Sequence, residues 1–252
     1  MKRRIFQIAF LVLLNLPLLG EWKFICLPVL NCHSCPWAVT SCPIGVLGHF
    51  AAWGVLPLMA LGTIGMFGTV FGRFLCGWVC PFGFLQDMLY KIPSPKFVLR
   101  RWTRAIKYIL LVASVFLAAA FIGLDSYTFF CRLCPAGTLE SLIPRALMDG
   151  NAGVLFAAWP RIFFMMALLV LMVFSLRSFC KVFCPIGAIL GIFNRVSMFG
   201  LRYKENECPS CEVCLQECPM DVEINDFRKG KMQEHTTAPA ECILCLDCTH
   251  NR

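Results

Sequence analysis

The chain has 252 residues, of which 58% are hydrophobic and only 15% charged, with a mean hydropathy of +0.70. That balance excludes an ordinary water-soluble domain and points to a membrane protein. The formal net charge of +8 sits in short basic runs beside apolar segments, a placement that reads as membrane orientation and excludes a nucleic-acid surface.

Met1-Lys2-Arg3-Arg4 precedes an apolar run from Ile5 to Gly20. No small-x-small cleavage site follows, because Glu21-Trp22-Lys23 comes directly after, so the run is predicted to be an uncleaved first membrane helix. A second span is expected from about Ile44 to Phe71, rich in closely spaced glycines (Gly48, Gly54, Gly62, Gly65, Gly68) that let helices approach tightly. A third, about Ile106 to Leu124, follows a loop carrying Lys91, Lys96, Arg100, Arg101, Arg104 and Lys107. A fourth, about Ile162 to Leu176, leads into Arg177, Lys181, Arg195 and Arg202. A bilayer needs about 20 residues per helix, so the first and fourth draw on flanking apolar residues. The positive-inside rule puts the amino terminus, the 72–105 loop and the tail in the cytoplasm, and residues 21–43 and 125–152 outside. The expected fold is an all-α membrane protein with four transmembrane helices over residues 1–200, multi-pass in the cell inner membrane with both termini cytoplasmic, followed by a small domain over 201–252.

Ten of the seventeen cysteines precede that domain and show an internal repeat. Four segments share Cys-Pro-x-Gly: Cys42-Pro43-Ile44-Gly45, Cys80-Pro81-Phe82-Gly83, Cys134-Pro135-Ala136-Gly137 and Cys184-Pro185-Ile186-Gly187. In both inner copies a cysteine stands four residues earlier, Cys76 and Cys180; in the outer copies the spacing loosens to Cys35 and Cys131. The chain thus reads as two halves, each an outer Cys-Pro, a span and an inner Cys-Pro, and such symmetry points to a site between repeats. Folding the halves together would bring Cys76, Cys80, Cys180 and Cys184 to the cytoplasmic mouth, enough thiolates for one cluster. Buried apolar cysteines or a redox dithiol are the alternatives, but proline and glycine beside every pair break the helix where a ligand loop is needed. Outside, Cys35, Cys42, Cys131 and Cys134 would mirror the inner set as a cluster, or pair as disulfides in an oxidising exterior. Cys26 receives no role, while Cys32 with Cys35, in Cys32-His33-Ser34-Cys35, would be the working thiols or metal site of an assembly factor.

The tail holds seven cysteines: Cys208, Cys211, Cys214 and Cys218 followed by Pro219, then Cys242, Cys245 and Cys248. Three thiolates at i, i+3 and i+6 converge on one face of a cubane, and a fourth followed by proline is directed to a second cluster, the bacterial two-cluster ferredoxin pattern. Zinc wants two cysteine pairs or Cys/His mixtures, and disulfides suit small secreted domains. By the crossed rule Cys218 joins Cys242, Cys245 and Cys248, whereas Cys208, Cys211 and Cys214 need a ligand at Arg252, the last residue. Either that second site is cut short of a final Cys-Pro or it is three-ligated.

The motifs Cys76-Gly77-Trp78-Val79-Cys80-Pro81-Phe82-Gly83 and Cys180-Lys181-Val182-Phe183-Cys184-Pro185-Ile186-Gly187, with this tail, resemble the NapH-type membrane polyferredoxins. The resemblance implies a four-span protein that exchanges electrons with the quinone pool, as a quinol dehydrogenase subunit would, and passes them through [4Fe-4S] clusters to a partner redox protein. It departs from the family at Arg252 and around Asn31-Cys32-His33-Ser34-Cys35. Relatives in maturation of other enzymes keep open an assembly factor that reduces a metal or disulfide, and a three-ligated cluster keeps open a redox sensor. An electron carrier needs no acid–base constellation, and no catalytic residue is assigned. His33 and His49 lack the helical partners of a bis-histidine haem site, and His49 is better read as a helix-contacting side chain than as a quinone ligand. Trp22, Trp37, Trp53, Trp102 and Trp159 lie near expected span ends, where an interfacial belt accounts for them, and Asp125 and Glu140 are expected to be solvated.

Overall fold

The computed structural model describes residues 2–16, 22–150, 153–201, 217–222 and 239–250. Among them the chain is helical with no β-strand, and one isolated parallel bridge joins Cys26 to Ser41. Cys208, Cys211, Cys214 and Arg252 lie outside the described residues.

Helix α1 (Lys2–Leu14) packs on α4 (Phe74–Trp78) and α5 (Pro81–Leu89). Its buried Gln7 donates to the Gly77 carbonyl at 3.0 Å, and Arg3 pairs with Asp87 at 3.2 Å and Asp247 at 2.5 Å. The expected second span is not one helix. It divides into α2 (Pro43–Trp53) and α3 (Leu58–Phe71), because Gly54 ends α2 in the left-handed conformation (φ 66°) and Pro57 cannot continue a helix. Of its glycines, Gly48 and Gly68 are close approaches: a Cβ there would stand 2.4 Å from the Phe129 ring and 2.7 Å from that of Phe193. Gly62 and Gly65 face open space.

Helix α6 (Arg101–Ile122) coincides with the third expected span and, among the described residues, is the one long and apolar enough to cross a membrane by itself. Its Leu111–Ile122 part is apolar all round, yet buries only the stripe Leu111, Val115, Ala118 and Ala119; Val112, Phe121 and Ile122 stay exposed, as does Ile109 just before it. Helix α7 (Phe130–Leu133) and α8 (Ile143–Met148) lie within the segment 125–152, expected outside, and α9 (Trp159–Phe174) carries the fourth expected span. The apolar helices α2, α3 and α9 are shorter than a bilayer crossing, so four full-length spans are not what the described helices amount to. The chain then turns through α10 (Ser178–Val182) into α11 (Pro185–Phe193), repeating the α4–α5 arrangement. The described tail residues pack against the helices: Met220, Val222, Ile243 and Leu244 are buried, and the first three join the same core as Cys76, Phe82, Phe179 and Leu190.

Candidate metal centres

Each Cys-Pro-x-Gly segment has one local structure. Cys42, Cys80, Cys134 and Cys184 are all helix N-caps in extended backbone, with φ between −60° and −74°, and the proline occupies the first helical turn, where its missing N–H costs nothing. At Cys184 the sulfur takes the place of the usual capping oxygen: the Gly187 amide donates to the Cys184 Sγ at 3.4 Å. The motif therefore places a thiol at the positive end of a helix, where a thiolate is favoured.

The structure brings the inner four together. Cys76, Cys80, Cys180 and Cys184 are all buried, and the Cys184 thiol lies within electrostatic reach of the other three. Burial pushes Cys80 up to about 12, with Cys180 and Cys76 adding to it. Such thiols ionise only beside strong positive charge, which cluster iron supplies and which the protein reinforces with two fully buried arginines.

These arginines are the residues that the sequence reading missed as site groups. Arg73 stands three residues before Cys76, and Arg177 three before Cys180, so the repeat is Arg-x-x-Cys-x-x-x-Cys-Pro-x-Gly. They cross between halves: a Cβ on Gly187 would meet the Arg73 head at 3.2 Å, and one on Gly83 would lie 3.7 Å from that of Arg177. Arg177 makes a bidentate pair with Asp87 at 2.8 and 2.7 Å and donates to the Cys76 carbonyl at 3.3 Å. Arg73 donates to the Ala240 carbonyl and to Glu241, both at 2.8 Å, while its Nε and second terminal nitrogen are buried without protein partners. Orphaned cationic donors beside four buried thiols fit an anionic thiolate-bound cluster. Gln86 Nε2 donates to the Cys180 Sγ at 3.0 Å, a bond of the kind that tunes such a centre.

The tail lies on this site. The Trp78 indole donates to the Leu244 carbonyl at 2.9 Å, and Asn194 donates to the carbonyls of Pro239 at 2.6 Å and Cys242 at 3.0 Å. Gly77 is required here, since a Cβ would come within 2.5 Å of the Ile243 carbonyl. Buried Lys107 pairs with Glu241, and Lys181 with Asp221, so two cations read from sequence as topology signals are tail-docking groups. Cys218, Cys242 and Cys248 are mutual neighbours through Cys242, and burial pushes Cys242 up to about 11 and Cys245 up to about 12.

In the segments expected outside, Cys42, Cys131 and Cys134 line one cavity, and Cys32 joins them, whereas Cys35 lies beside Cys32 without lining it. Asp125 is fully exposed as expected, but Glu140 is not solvated: it accepts the Cys32 amide at 2.6 Å, and burial pushes its carboxyl up to about 7. His49 Nδ1 bonds the Gly45 carbonyl at 2.7 Å and its ring packs edge-on to His33, Trp53 and Phe129. Cys26 is a buried core residue. Among the described residues no three His, Cys, Asp or Glu side chains close tightly enough for a single metal ion.

A family model described as a 4Fe-4S binding domain matches the chain twice, over residues 52–100 and 157–203, each match enclosing one Arg-x-x-Cys-x-x-x-Cys-Pro-x-Gly segment. An uncharacterised protein of Methanocaldococcus jannaschii is 31% identical over 219 residues, 82% of this chain and 81% of that one. The regulatory protein NosR of Pseudomonas aeruginosa is 29% identical over 69% of this chain, which spans only 22% of NosR's length. The methylamine utilization ferredoxin-type protein MauN of Paracoccus denitrificans is 29% identical over 72% of this chain and 62% of its own. No solved structure matches. The double domain match, and a relative sharing nearly a third of its residues over four fifths of both chains, show that this chain belongs to the polyferredoxin family that carries this 4Fe-4S binding domain.

Proposed function

We propose that the chain is a membrane-bound electron-transfer protein in which Cys76, Cys80, Cys180 and Cys184 hold one [4Fe-4S] cluster and Cys218, Cys242, Cys245 and Cys248 hold another. Cys208, Cys211 and Cys214 serve a further tail cluster, residues 201–252 form the ferredoxin-like part, and residues 1–200 form the multi-pass membrane part with both termini in the cytoplasm. Electrons pass between the quinone pool and a partner redox protein. When bound, a [4Fe-4S] cluster supplies a one-electron couple whose potential follows charge, hydrogen bonding and solvent exposure.

The observation that carries this reading is the crossed packing of the two repeats, four buried thiols flanked by Arg73 and Arg177, with Cys218, Cys242 and Cys245 packed against the same core. The chain's own residues exclude water through Phe82, Phe179 and Ile243, offset thiolate charge with the two guanidiniums, and hold the tail on the inner face through Trp78 and Asn194. Membrane anchoring is supported by α6, whose exposed apolar faces suit hydrocarbon better than water. The similarity to a protein named as regulatory supports a second reading, a redox-dependent regulator or maturation factor using the same centres.

Iron and acid-labile sulfide quantitation with electron paramagnetic resonance tests the main reading. The Cys76→Ala/Cys180→Ala double variant should lose about four irons and keep the tail signals; unchanged stoichiometry refutes an inner cluster. Reduction of the purified protein by quinol tests the link to the quinone pool, and reduced tail clusters are expected.

A further inference from the structure

The outer side holds a cavity of about 440 Å³ that neither domain match nor tail accounts for. Cys32, Cys42, Cys131 and Cys134 all line it, and they arrive from separate places: the first outer loop, the cap of α2, α7, and the turn after α7. Their thiols are mutual electrostatic neighbours, Cys42 with the other three, Cys131 with Cys134 and Cys32, and Cys134 with Cys32. We propose that this cavity is an additional iron–sulfur site, in which Cys32, Cys42, Cys131 and Cys134 ligate one four-iron cluster, with Cys32 and not Cys35 as the fourth ligand.

Size favours a cluster over an ion. A water occupies about 30 Å³ of liquid, so the space far exceeds what a single metal needs. None of the four is in a disulfide. Two of them, Cys42 and Cys134, carry the same proline-following cap geometry as the inner ligands. The Gly137 turn lies directly against the set, since a Cβ there would be in van der Waals contact with the Cys32 sulfur at 3.6 Å and the Cys134 Cβ at 3.8 Å.

Charge favours it as well. Four thiolates around an iron–sulfur cube carry net negative charge, and Arg161 lines the cavity with a buried Nε that has no hydrogen-bond partner. Arg132 and Arg145 line the same wall, but their donors are engaged by Leu124 and Asp125 and by Ser34. Arg161 is thus placed to donate to the bound group.

The choice of Cys32 follows from how the first outer loop is held. Glu140 accepts the Cys32 amide at 2.6 Å, and Ser141 and Arg145 donate to the Ser34 carbonyl at 3.1 and 2.9 Å. All three anchors come from the second half of the chain. They fix the loop so that Cys32 reaches the cavity, while Cys35, bonded through its amide to the Cys32 carbonyl at 3.0 Å, turns into a separate buried position.

This inference rests on the iron–sulfur reading, and the test separates the two. Full-length protein prepared anaerobically and reconstituted with ferrous iron and sulfide is assayed for iron, sulfide and zinc per chain, beside Cys32→Ala, Cys35→Ala and Cys76→Ala/Cys180→Ala. Cys32→Ala should lose about four irons and four sulfides per chain, and Cys35→Ala none. Wild-type stoichiometry in Cys32→Ala, an equal loss in Cys35→Ala, zinc in place of iron, or a disulfide among the four in non-reducing mass spectrometry overturns the outer site. If Cys76→Ala/Cys180→Ala loses iron while Cys32→Ala does not, the outer site alone falls; an iron-free wild type removes the broader reading too. Should Cys32→Ala fail to fold, Arg161→Gln decides: it should keep full iron and lower the potential of one cluster, and an unmoved set of potentials counts against the site.

Discussion

Replacing Arg73 by glutamine keeps a hydrogen-bonding side chain at the inner site and removes its charge. The guanidinium is fully buried, bonds Glu241 and the Ala240 carbonyl on one side, and on the other has two nitrogens without protein partners close to the Cys76 and Cys180 thiols. Reduction adds one negative charge to a centre held there, so a neighbouring cation stabilises the reduced form and its removal lowers the potential. At a charge separation of about 7 Å and an effective dielectric constant of about 20, the interaction is about 2.4 kcal/mol. For a one-electron couple, at about 59 mV per factor of ten, that is about 100 mV. Redox titration followed by electron paramagnetic resonance, in detergent, should therefore show one cluster of Arg73→Gln shifted downward by about 100 mV, with Arg73→Lys restoring most of the difference. An Arg73→Gln protein that keeps all its iron and titrates at the wild-type potential would show that the guanidinium is packing material and not part of the centre's electrostatics.

The tail's seat on the inner face makes a second prediction: Gly77→Ala forces its Cβ against the Ile243 carbonyl, an overpacking worth about 1–3 kcal/mol. Hydrogen exchange at Ile243 and Leu244 should accelerate by about 5- to 150-fold, whereas Gly65→Ala, with open space around it, should leave it unmoved. Asp87→Asn breaks a bidentate pair whose arginine is fully buried, at a cost of about 3–5 kcal/mol. The Arg177 and Arg3 charges hold the Asp87 carboxyl below its ordinary 3.8, so the stabilisation is fully present above that pH and is lost as pH falls through the lower folded value. Thermal unfolding of iron-free protein between pH 7 and pH 3 should show that acid limb in the wild type and a flatter one in Asp87→Asn.

Local chemistry was legible in the sequence, and partners across the chain were not. The helix breaks at the Cys-Pro-x-Gly repeats were legible because a cap and a helix break are decided within a few residues. Arg73 and Arg177 carry an equally local signal, three residues ahead of each inner motif, yet their purpose depends on Gly187 and Gly83 in the opposite half. Lys107 and Lys181 were counted as charges that orient the chain, a treatment that assumes solvated side chains; their acids, Glu241 and Asp221, lie 134 and 40 residues away. The same limit applies to Glu140, whose burial comes from the first outer loop folding over it. Gly54 and Pro57 were visible, and the hydropathy of the whole 44–71 segment outweighed the break they impose.

Those distant pairings have a consequence for how the inner site works as a unit. Glu241 belongs to the tail, immediately before a tail cysteine, and Arg73 belongs to the first repeat, yet they meet at 2.8 Å beside the second repeat's Gly187. Docking the tail places a carboxylate on the cation that the inner thiols share, so the charge felt by those thiols and the free energy of docking are two sides of one equilibrium. Linkage makes the coupling reciprocal: a change in electron occupancy at the inner site that alters the value of Arg73's charge must alter the strength of tail docking by the same free energy. A surface-exposed pair would dissipate this in solvent, at a fraction of a kcal/mol. Here the arginine is fully buried, the carboxylate is mostly so, and Lys107 bonds both carboxylate oxygens at 2.6 Å, so solvent screens the interaction little.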